Sequence, residues 1–176
     1  PPYIRPINSS EASTIYAQQD GRPVELATFY HENRVEVPFE EISPNIINAV
    51  LATEDPRFYE HAGVDMLSLV RATLTNLATF GEGPGASIIT MQYVKNSLVE
   101  AANQSGDEEA IKAATEVTVE RKLREIRLAI ALEKEVSKKQ ILAGYLNLAF
   151  FGNQINGAQT ASQYYFGTSA KNLNDP

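Results

Sequence analysis

The chain has 176 residues, of which 43% are hydrophobic, and its formal net charge is −7. This length suits one domain, or one domain with an appended arm, and the apolar content is ample for a sizeable core. The net negative charge argues against general nucleic-acid binding, and the absence of cysteine excludes disulfides and thiolate chemistry. Two histidines are too few for a zinc site rich in nitrogen ligands, and no apolar run is long enough to span a membrane.

The N-terminal part of the chain has β-like segments at 13–16 and 24–30, separated by an Asp-Gly pair that is typical of a hairpin turn. We therefore expect a short extended or β arm over residues 1–40 and a main domain over residues 41–176. The main domain opens with a predicted helix, because Ser43 can cap it, Pro44 is favoured at its first position, and apolar residues then follow a helical period.

The middle of the chain predicts three helices, separated by a glycine-rich loop and by a polar segment that indicates a mobile insertion or linker. In chain order these are a helix over 65–80, the loop over 81–85, a helix over 88–100, the insertion over 101–110, and a long helix that begins near 108 or 118 and ends at 136.

The C-terminal part predicts two more helices. Ser137 and Gln140 form a capping box that starts the first of them, and a turn follows at 152–156. The last helix is predicted over 158–166 and ends at Gly167. The whole pattern indicates a mainly α fold with a short β arm at its start.

The first motif with chemical potential is a pair of carboxylates, Glu54 and Asp55, at the end of the first predicted helix. A carboxylate held partly away from water at a helix end is suited to proton transfer, so Glu54 is a candidate general base or acid. The alternative is a helix-end carboxylate in a salt bridge, with His61 as an ordinary loop histidine.

The second motif is the glycine-rich loop where it enters the next helix at Ser87. Free backbone N–H groups and the helix dipole favour an anion such as phosphate at such a point, and Lys95 adds charge two turns later. The motif is not a P-loop, because Gly-Lys-Ser/Thr is missing. The alternative is a flexible loop with Ser87 as a helix cap.

The third motif places Arg121, Lys122 and Glu125 on one face of the long helix. Cations beside a carboxylate keep it ionised, and they could also bind pyrophosphate. The alternative is a solvated charged face, which is common on exposed helices.

The order and spacing of these motifs, with two more near the C-terminus, resemble the family 51 glycosyltransferases. These are the peptidoglycan glycosyltransferase domains of class A penicillin-binding proteins and their monofunctional relatives. The resemblance covers about residues 13–174, although Ile88 and Met91 stand where the family usually has Thr and Gln. The matching residues are Glu54, Asp55, Phe58, His61 and Gly63; Gly85, Ser87, Ile89, Thr90, Gln92, Lys95 and Asn96; Arg121, Lys122, Glu125, Leu132 and Glu133; Lys138, Ile141, Leu142, Tyr145, Leu146 and Asn147; and Gly157, Ala161, Tyr165, Phe166 and Gly167.

The resemblance implies a lysozyme-like helical fold and an enzyme that polymerises lipid II into β-1,4-linked glycan, with inversion and release of polyprenyl pyrophosphate. It implies that Glu54 is the catalytic base and that Glu125 assists by orienting the cations or the donor sugar. His61 is expected to fix the loop around Glu54. The residues expected to bind substrate are Asp55, Ser87, Thr90, Gln92, Lys95, Asn96, Arg121 and Lys122.

The resemblance also implies partners and a location. We expect lipid II and the growing glycan as substrates, and a position on the extracytoplasmic face of the bacterial cell membrane. The apolar 67–80 segment is expected to contact the membrane surface, and the alternative is that it packs in the protein core. An N-terminal transmembrane helix, a further helical segment after Pro176 and a transpeptidase domain are expected in the full-length protein. No resident cofactor is expected, although Mg²⁺ or Mn²⁺ could bridge the pyrophosphate.

Two rival functions stay open at this point. One is a lysozyme-like enzyme that cleaves glycan with a carboxylic acid. The cations and the anion loop argue against it, because hydrolysis of a neutral glycosidic bond needs no pyrophosphate site. The other is a catalytically silent scaffold, since Ile88 and Met91 remove two polar groups from the expected anion pocket.

Overall fold

The computed structural model of the protein describes residues 13–19, 22–29, 34–65 and 87–173. The predicted helix over 65–80, apart from Asp65, and the predicted loop over 81–85 lie outside the described residues. Within the described part the architecture is mainly helical, with one two-stranded antiparallel sheet near the N-terminus. The predicted fold class is confirmed.

The described elements follow one another from the small sheet to the helical body. Strand β1 pairs with β2 in the antiparallel manner expected for the predicted hairpin. The elements are β1 Ser13–Gln19, β2 Arg22–Phe29, a 3-10 turn Phe39–Glu41, α1 Pro44–Glu54, α2 Ile89–Ser105, α3 Glu108–Thr115, α4 Val119–Glu135, α5 Lys138–Leu148, α6 Ala158–Phe166 and a second 3-10 turn Ala170–Asn172.

Local capping signals set the ends of several helices as the sequence predicted. The Ser43 hydroxyl accepts a hydrogen bond from the N–H of Ile46 at the start of α1. Ser137 and Gln140 form the capping box of α5, and Gly167 adopts the left-handed conformation that ends α6. Each of these signals satisfies backbone groups that a helix end leaves without a partner.

The prediction of a mobile insertion over 101–110 is wrong. Helix α2 continues to Ser105 and ends at Gly106, and Asp107 then caps α3 by accepting hydrogen bonds from two backbone N–H groups. Of the two starts predicted for the long helix, the one near 118 is confirmed, because Thr118 caps α4. The start near 108 belongs to the separate short helix α3. The polar composition misled the prediction because tertiary packing, not composition, stabilises most helices.

The core has two parts, both built around α2. The larger part buries α5 against the first residue of α2 and against Phe58 from the loop after α1. The smaller part lies between α2 and α4 and consists of Ile88, Met91, Val94 and Ala129. Because Ile88 and Met91 point into this apolar cluster, their replacement of polar family residues removes no donor from the protein surface.

The segment before the first 3-10 turn is fastened to the last two long helices. The N–H of Val35 donates to the Thr160 hydroxyl at 2.9 Å, and Val37 exchanges two hydrogen bonds with the Asn147 amide at 3.0 and 2.9 Å. These bonds tie residues 34–37 to the helical body. The predicted domain boundary at residue 40 stays a prediction.

Gly63 is expected to be irreplaceable because two constraints coincide there. Its φ is +81°, and a Cβ would lie 2.7 Å from the carbonyl oxygen of Ala129 in α4. The matched control is Gly106, with φ +66° and no heavy atom of the described residues within 4 Å of the position that a Cβ would take. We expect Gly106→Ala to lower the free energy of unfolding by about 1 kcal/mol and Gly63→Ala by about 3 kcal/mol, measured by urea unfolding. Equal losses would show that the contact with α4 costs nothing.

Candidate active site

Glu54 ends α1 at the protein surface and is linked to α2 and α5 through one amide. Gln92 Nε2 donates to Glu54 Oε2 at 2.8 Å, and Gln92 Oε1 accepts from the Tyr145 hydroxyl at 3.2 Å. The same Nε2 lies 3.3 Å from the carbonyl oxygen of Ser87. The Gln92 amide therefore orients the Glu54 carboxylate, which is exposed. The expectation that Glu54 is partly desolvated is wrong.

Asp55, not Glu54, is the carboxylate that the helix end turns inward. It is the C-cap residue of α1, with φ −160° and ψ 76°, and only 3% of its surface is exposed. Its Oδ2 accepts from the N–H of Ile89 at 3.2 Å and lies 2.9 Å from His61 Nε2. Ile89 is the first residue of α2, where N–H groups lack helical partners and a negative charge is favoured.

Charged side chains from α4 and α5 lie next to the Asp55–His61 pair. Lys138 Nζ lies 3.5 Å from His61 Nδ1, 2.8 Å from Glu133 and 4.3 Å from the centre of the Phe58 ring. The Thr90 hydroxyl, which is fully buried, donates to Glu133. The network joins the loop after α1 to the start of α2, and it holds Thr90 inside the protein.

The third motif forms a cation site next to the start of α2. The Lys122 ammonium donates to the Ser87 hydroxyl and lies 3.5 Å from the Glu125 carboxylate. Arg121 pairs with the same carboxylate and also donates to the carbonyl oxygen of Glu116. Glu125 is only 1% exposed, so its charge acts on these two cations and not on solvent. The interpretation of this motif as a solvated charged face does not fit Glu125.

The remaining predicted substrate residues, Lys95 and Asn96, lie outside these hydrogen-bonded groups. Lys95 is exposed on α2, and its side chain has no hydrogen-bond or ion-pair partner within the part of the chain that the structure describes. Asn96 lies one turn beyond Gln92 and lines a separate cleft. The predicted site residues therefore divide into a surface group around Gln92, a buried support around Asp55, and Asn96 apart.

Comparison with known proteins identifies the family of this chain. A family model described as transglycosylase matches residues 20–176. The chain belongs to the transglycosylase family. It is 38% identical to penicillin-binding protein 2D of Bacillus subtilis (strain 168) over 93% of this chain and 21% of that protein. It is 36% identical to penicillin-binding protein 1A of Clostridium tetani (strain Massachusetts / E88) over 96% of this chain and 20% of that protein.

This transglycosylase chain spans about a fifth of the length of those relatives. Among its described residues, no helix combines the length and apolar character needed to cross a bilayer. Nor does any group of three His, Asp or Glu side chains among them come together as a metal cage. Since Asp55 and Glu125 are already occupied by protein partners, the described residues do not fit a protein-held Mg²⁺ or Mn²⁺.

Sequence reasoning assigned no role to Tyr145, Glu133 or Lys138, although all three occur in the transglycosylase motifs. Their partners are distant in sequence: Tyr145 bonds Gln92, and Lys138 reaches His61. For Tyr145 the available signal was a hydroxyl group on an otherwise apolar helix face, because a polar group among buried residues needs a partner. Glu133 and Lys138 lie in polar stretches of the sequence, which offered no such signal.

The Tyr145 hydroxyl is expected to remain a donor throughout the neutral range. Burial raises its pKa from 10.0 to about 12, with a smaller contribution from the Glu54 charge. A raised folded pKa gives stability that is complete below the unfolded pKa and is lost as the pH rises through the folded one. We expect the stability difference between the wild type and Tyr145→Phe to be constant below pH 10 and to shrink towards pH 12, measured by urea unfolding. Tyr164→Phe, at an exposed position, is the control and should show no such trend.

Proposed function

We propose that this transglycosylase is a peptidoglycan glycosyltransferase that polymerises lipid II. The observation that carries the proposal is the position of Gln92. Its Nε2 group donates both to the exposed Glu54 carboxylate and to the Ser87 carbonyl oxygen, and the Ser87 hydroxyl accepts from Lys122. A base and a cation site therefore flank one side chain at the start of α2, as transfer of a sugar from a pyrophosphate requires.

The proposed step breaks one bond and forms another. The 4-hydroxyl oxygen of the incoming N-acetylglucosamine attacks the anomeric carbon of the donor, and the bond from that carbon to the pyrophosphate oxygen breaks. Glu54 takes the hydroxyl proton as the new bond forms. Attack opposite the leaving group converts an α donor linkage into a β-1,4 product. Exposure of Glu54 suits this role, because the base must reach a hydroxyl that arrives from solvent.

Positive charge would stabilise the departing pyrophosphate. Lys122 and Arg121 are fixed beside the start of α2 by the buried Glu125 carboxylate, which we assign as a positioning residue. Ser87 supplies a hydroxyl at the same place, and Lys95 is an exposed cation two turns into the helix. Preorganised donors of this kind act where charge develops in the transition state.

Two predicted substrate residues take supporting roles in this proposal. Asp55 and Thr90 are buried, and their polar atoms bond protein groups. We assign them to the support of the loop after α1 and the start of α2, together with His61. They fix the position of Glu54 relative to Gln92 and do not contact substrate.

The wider setting is proposed on the same basis. The relatives are named as penicillin-binding proteins, and the chain matches only about a fifth of each. We propose that lipid II and the growing glycan strand are its substrates, at the membrane surface on the extracytoplasmic face of the bacterial cell. We propose also that the full-length protein carries a transmembrane anchor and a transpeptidase domain.

A glycan-cleaving enzyme is less compatible with this site. Glycoside hydrolysis uses two carboxylates that flank the scissile bond. The neighbour of Glu54 is Asp55, whose carboxylate is turned inward and bonded to Ile89, so it cannot face a bound glycan.

Incubation of the chain with lipid II in detergent separates the three functions. The proposal expects longer glycan strands on gels and release of polyprenyl pyrophosphate. Incubation with polymeric glycan should release no sugars; their release would support the cleaving enzyme instead. No elongation under any metal or detergent condition would favour the silent scaffold and overturn the proposal.

A further inference from the structure

A cleft of about 140 Å³ opens beside α2, outside the group around Glu54. Its walls are partly apolar and partly polar, and they come from the N-terminal segment, from α2 and from the end of α5 with the turn after it. The cleft-lining residues used in the argument are Arg34, Asn96, Glu100, Asn103, Phe150 and Asn156. The mechanism proposed above uses none of them.

The cleft continues the face of α2 that carries Gln92. Asn96 follows Gln92 by four residues and Asn103 by eleven, so at 1.5 Å per residue the cleft begins roughly 6 Å from Gln92 along the helix axis and extends to roughly 16 Å. The two sites are therefore close enough for one extended molecule to occupy both. A polymer that passes through the active site could place a neighbouring unit in this cleft.

The charges of the cleft exclude a phosphate as its ligand. Arg34 is its cation, and its guanidinium makes two hydrogen bonds to Glu100, at 2.9 and 2.7 Å. A second carboxylate, that of Glu36, lies 3.0 Å from the same guanidinium. The positive charge is thus already balanced by protein carboxylates, unlike that of Lys122 and Arg121. A ligand without net charge fits this environment best.

The remaining groups match a sugar ring. The side-chain amides of Asn96, Asn103 and Asn156 make no hydrogen bond within the described part of the chain, so each can offer a donor and an acceptor. The Phe150 ring is 66% exposed, and a backbone bridge between Phe150 and Asn156 holds ring and amide side by side. A pyranose presents C–H groups on its face, which pack on an aromatic ring, and hydroxyl or acetamido groups on its rim, which bond amides.

We propose that this cleft binds one neutral, N-acetylated sugar ring of the glycan strand and thereby holds the strand beside the active site. The proposal rests on the function proposed above, but it concerns binding and not the chemical step. Holding the strand raises the local concentration of its end, so that successive additions occur before the strand dissociates.

The test is whether a soluble β-1,4-linked N-acetylglucosamine tetramer binds to the intact chain. Binding is measured by saturation-transfer NMR and by titration calorimetry. We expect Phe150→Ala to weaken binding roughly fivefold, the loss of one aromatic contact. Asn103→Ala, at an exposed helix position, should also weaken binding. Phe166→Ala is the matched control, because Phe166 is also 66% exposed and lies outside the cleft, and it should bind as the wild type does.

Two further arms separate this proposal from the proposed function. Glu54→Gln should retain tetramer binding, and inorganic pyrophosphate should not displace the tetramer, because the cleft is distinct from the base and the cations. In polymerisation assays Phe150→Ala should yield shorter strands while the first coupling still occurs. The cleft proposal is overturned if the wild type does not bind the tetramer, if Phe150→Ala and Asn103→Ala bind it as the wild type does, or if pyrophosphate displaces it.

Discussion

Replacement of Glu54 by Gln is expected to slow lipid II polymerisation by roughly a hundredfold to ten-thousandfold, the usual contribution of a positioned acid or base. The amide cannot take the proton of the attacking hydroxyl. Folding should be intact, because Glu54 is exposed and the new side-chain carbonyl can still accept the hydrogen bond from Gln92. Initial rates with lipid II and the unfolding midpoint, measured on the same preparation, test both statements.

Glu60→Gln is the matched control for Glu54→Gln. Glu60 is an exposed glutamate in the turn that follows α1, and it belongs to neither group of site residues. The same loss of one negative charge should leave the rate within about twofold of the wild type. If Glu54→Gln retained a tenth or more of the wild-type rate, the base would have to be sought elsewhere.

Much of the fold could be predicted because the residues close to some helix ends determine where those helices begin or end. Ser43 with Pro44, the capping box at Ser137 and the glycine at 167 each act on backbone groups within four residues. Such signals need no knowledge of the tertiary structure. The predicted starts of α1 and α5 and both predicted ends of α6 consequently agree with the structure.

The end of α2 could not be predicted because its stability comes from distant residues. Glu100 is buried through its ion pair with Arg34, which precedes it by 66 positions. Residues 103–107 are polar, and composition alone favours a loop there. A local sequence pattern cannot indicate that Arg34 packs against this part of α2.

In the candidate site, too, local sequence predicts some features and distant contacts determine the others. Motif matching found Glu54, Asp55 and Gln92, but it could not say which carboxylate faces solvent. That choice depends on the backbone angles of one C-cap residue and on a free N–H at the start of α2. The site also depends on contacts between motifs, such as that of Tyr145 with Gln92, which only the packing of α2 against α5 brings together.

Asp55→Asn is expected to act on stability, in contrast to the change at its neighbour. The amide can still accept the N–H of Ile89, but it carries no charge for the helix N-terminus and replaces one acceptor facing His61 with a donor. Since Asp55 is buried, we expect the free energy of unfolding to fall by about 2–3 kcal/mol, measured by urea unfolding. Activity should fall as well, because the start of α2 carries Gln92 and borders the cation site.

Asp107→Asn isolates the cause of that loss. Asp107 also places a carboxylate at a helix N-terminus, where it accepts from the N–H groups of Glu109 and Ala110, but it is exposed. Because Asn caps a helix about as well as Asp, this substitution should cost less than about 0.5 kcal/mol. A large difference between the two variants assigns the stability to burial and to the contact with His61. Similar small losses at both positions would mean that Asp55 is an ordinary helix cap, and that the buried network does not hold Glu54 and Gln92 in place.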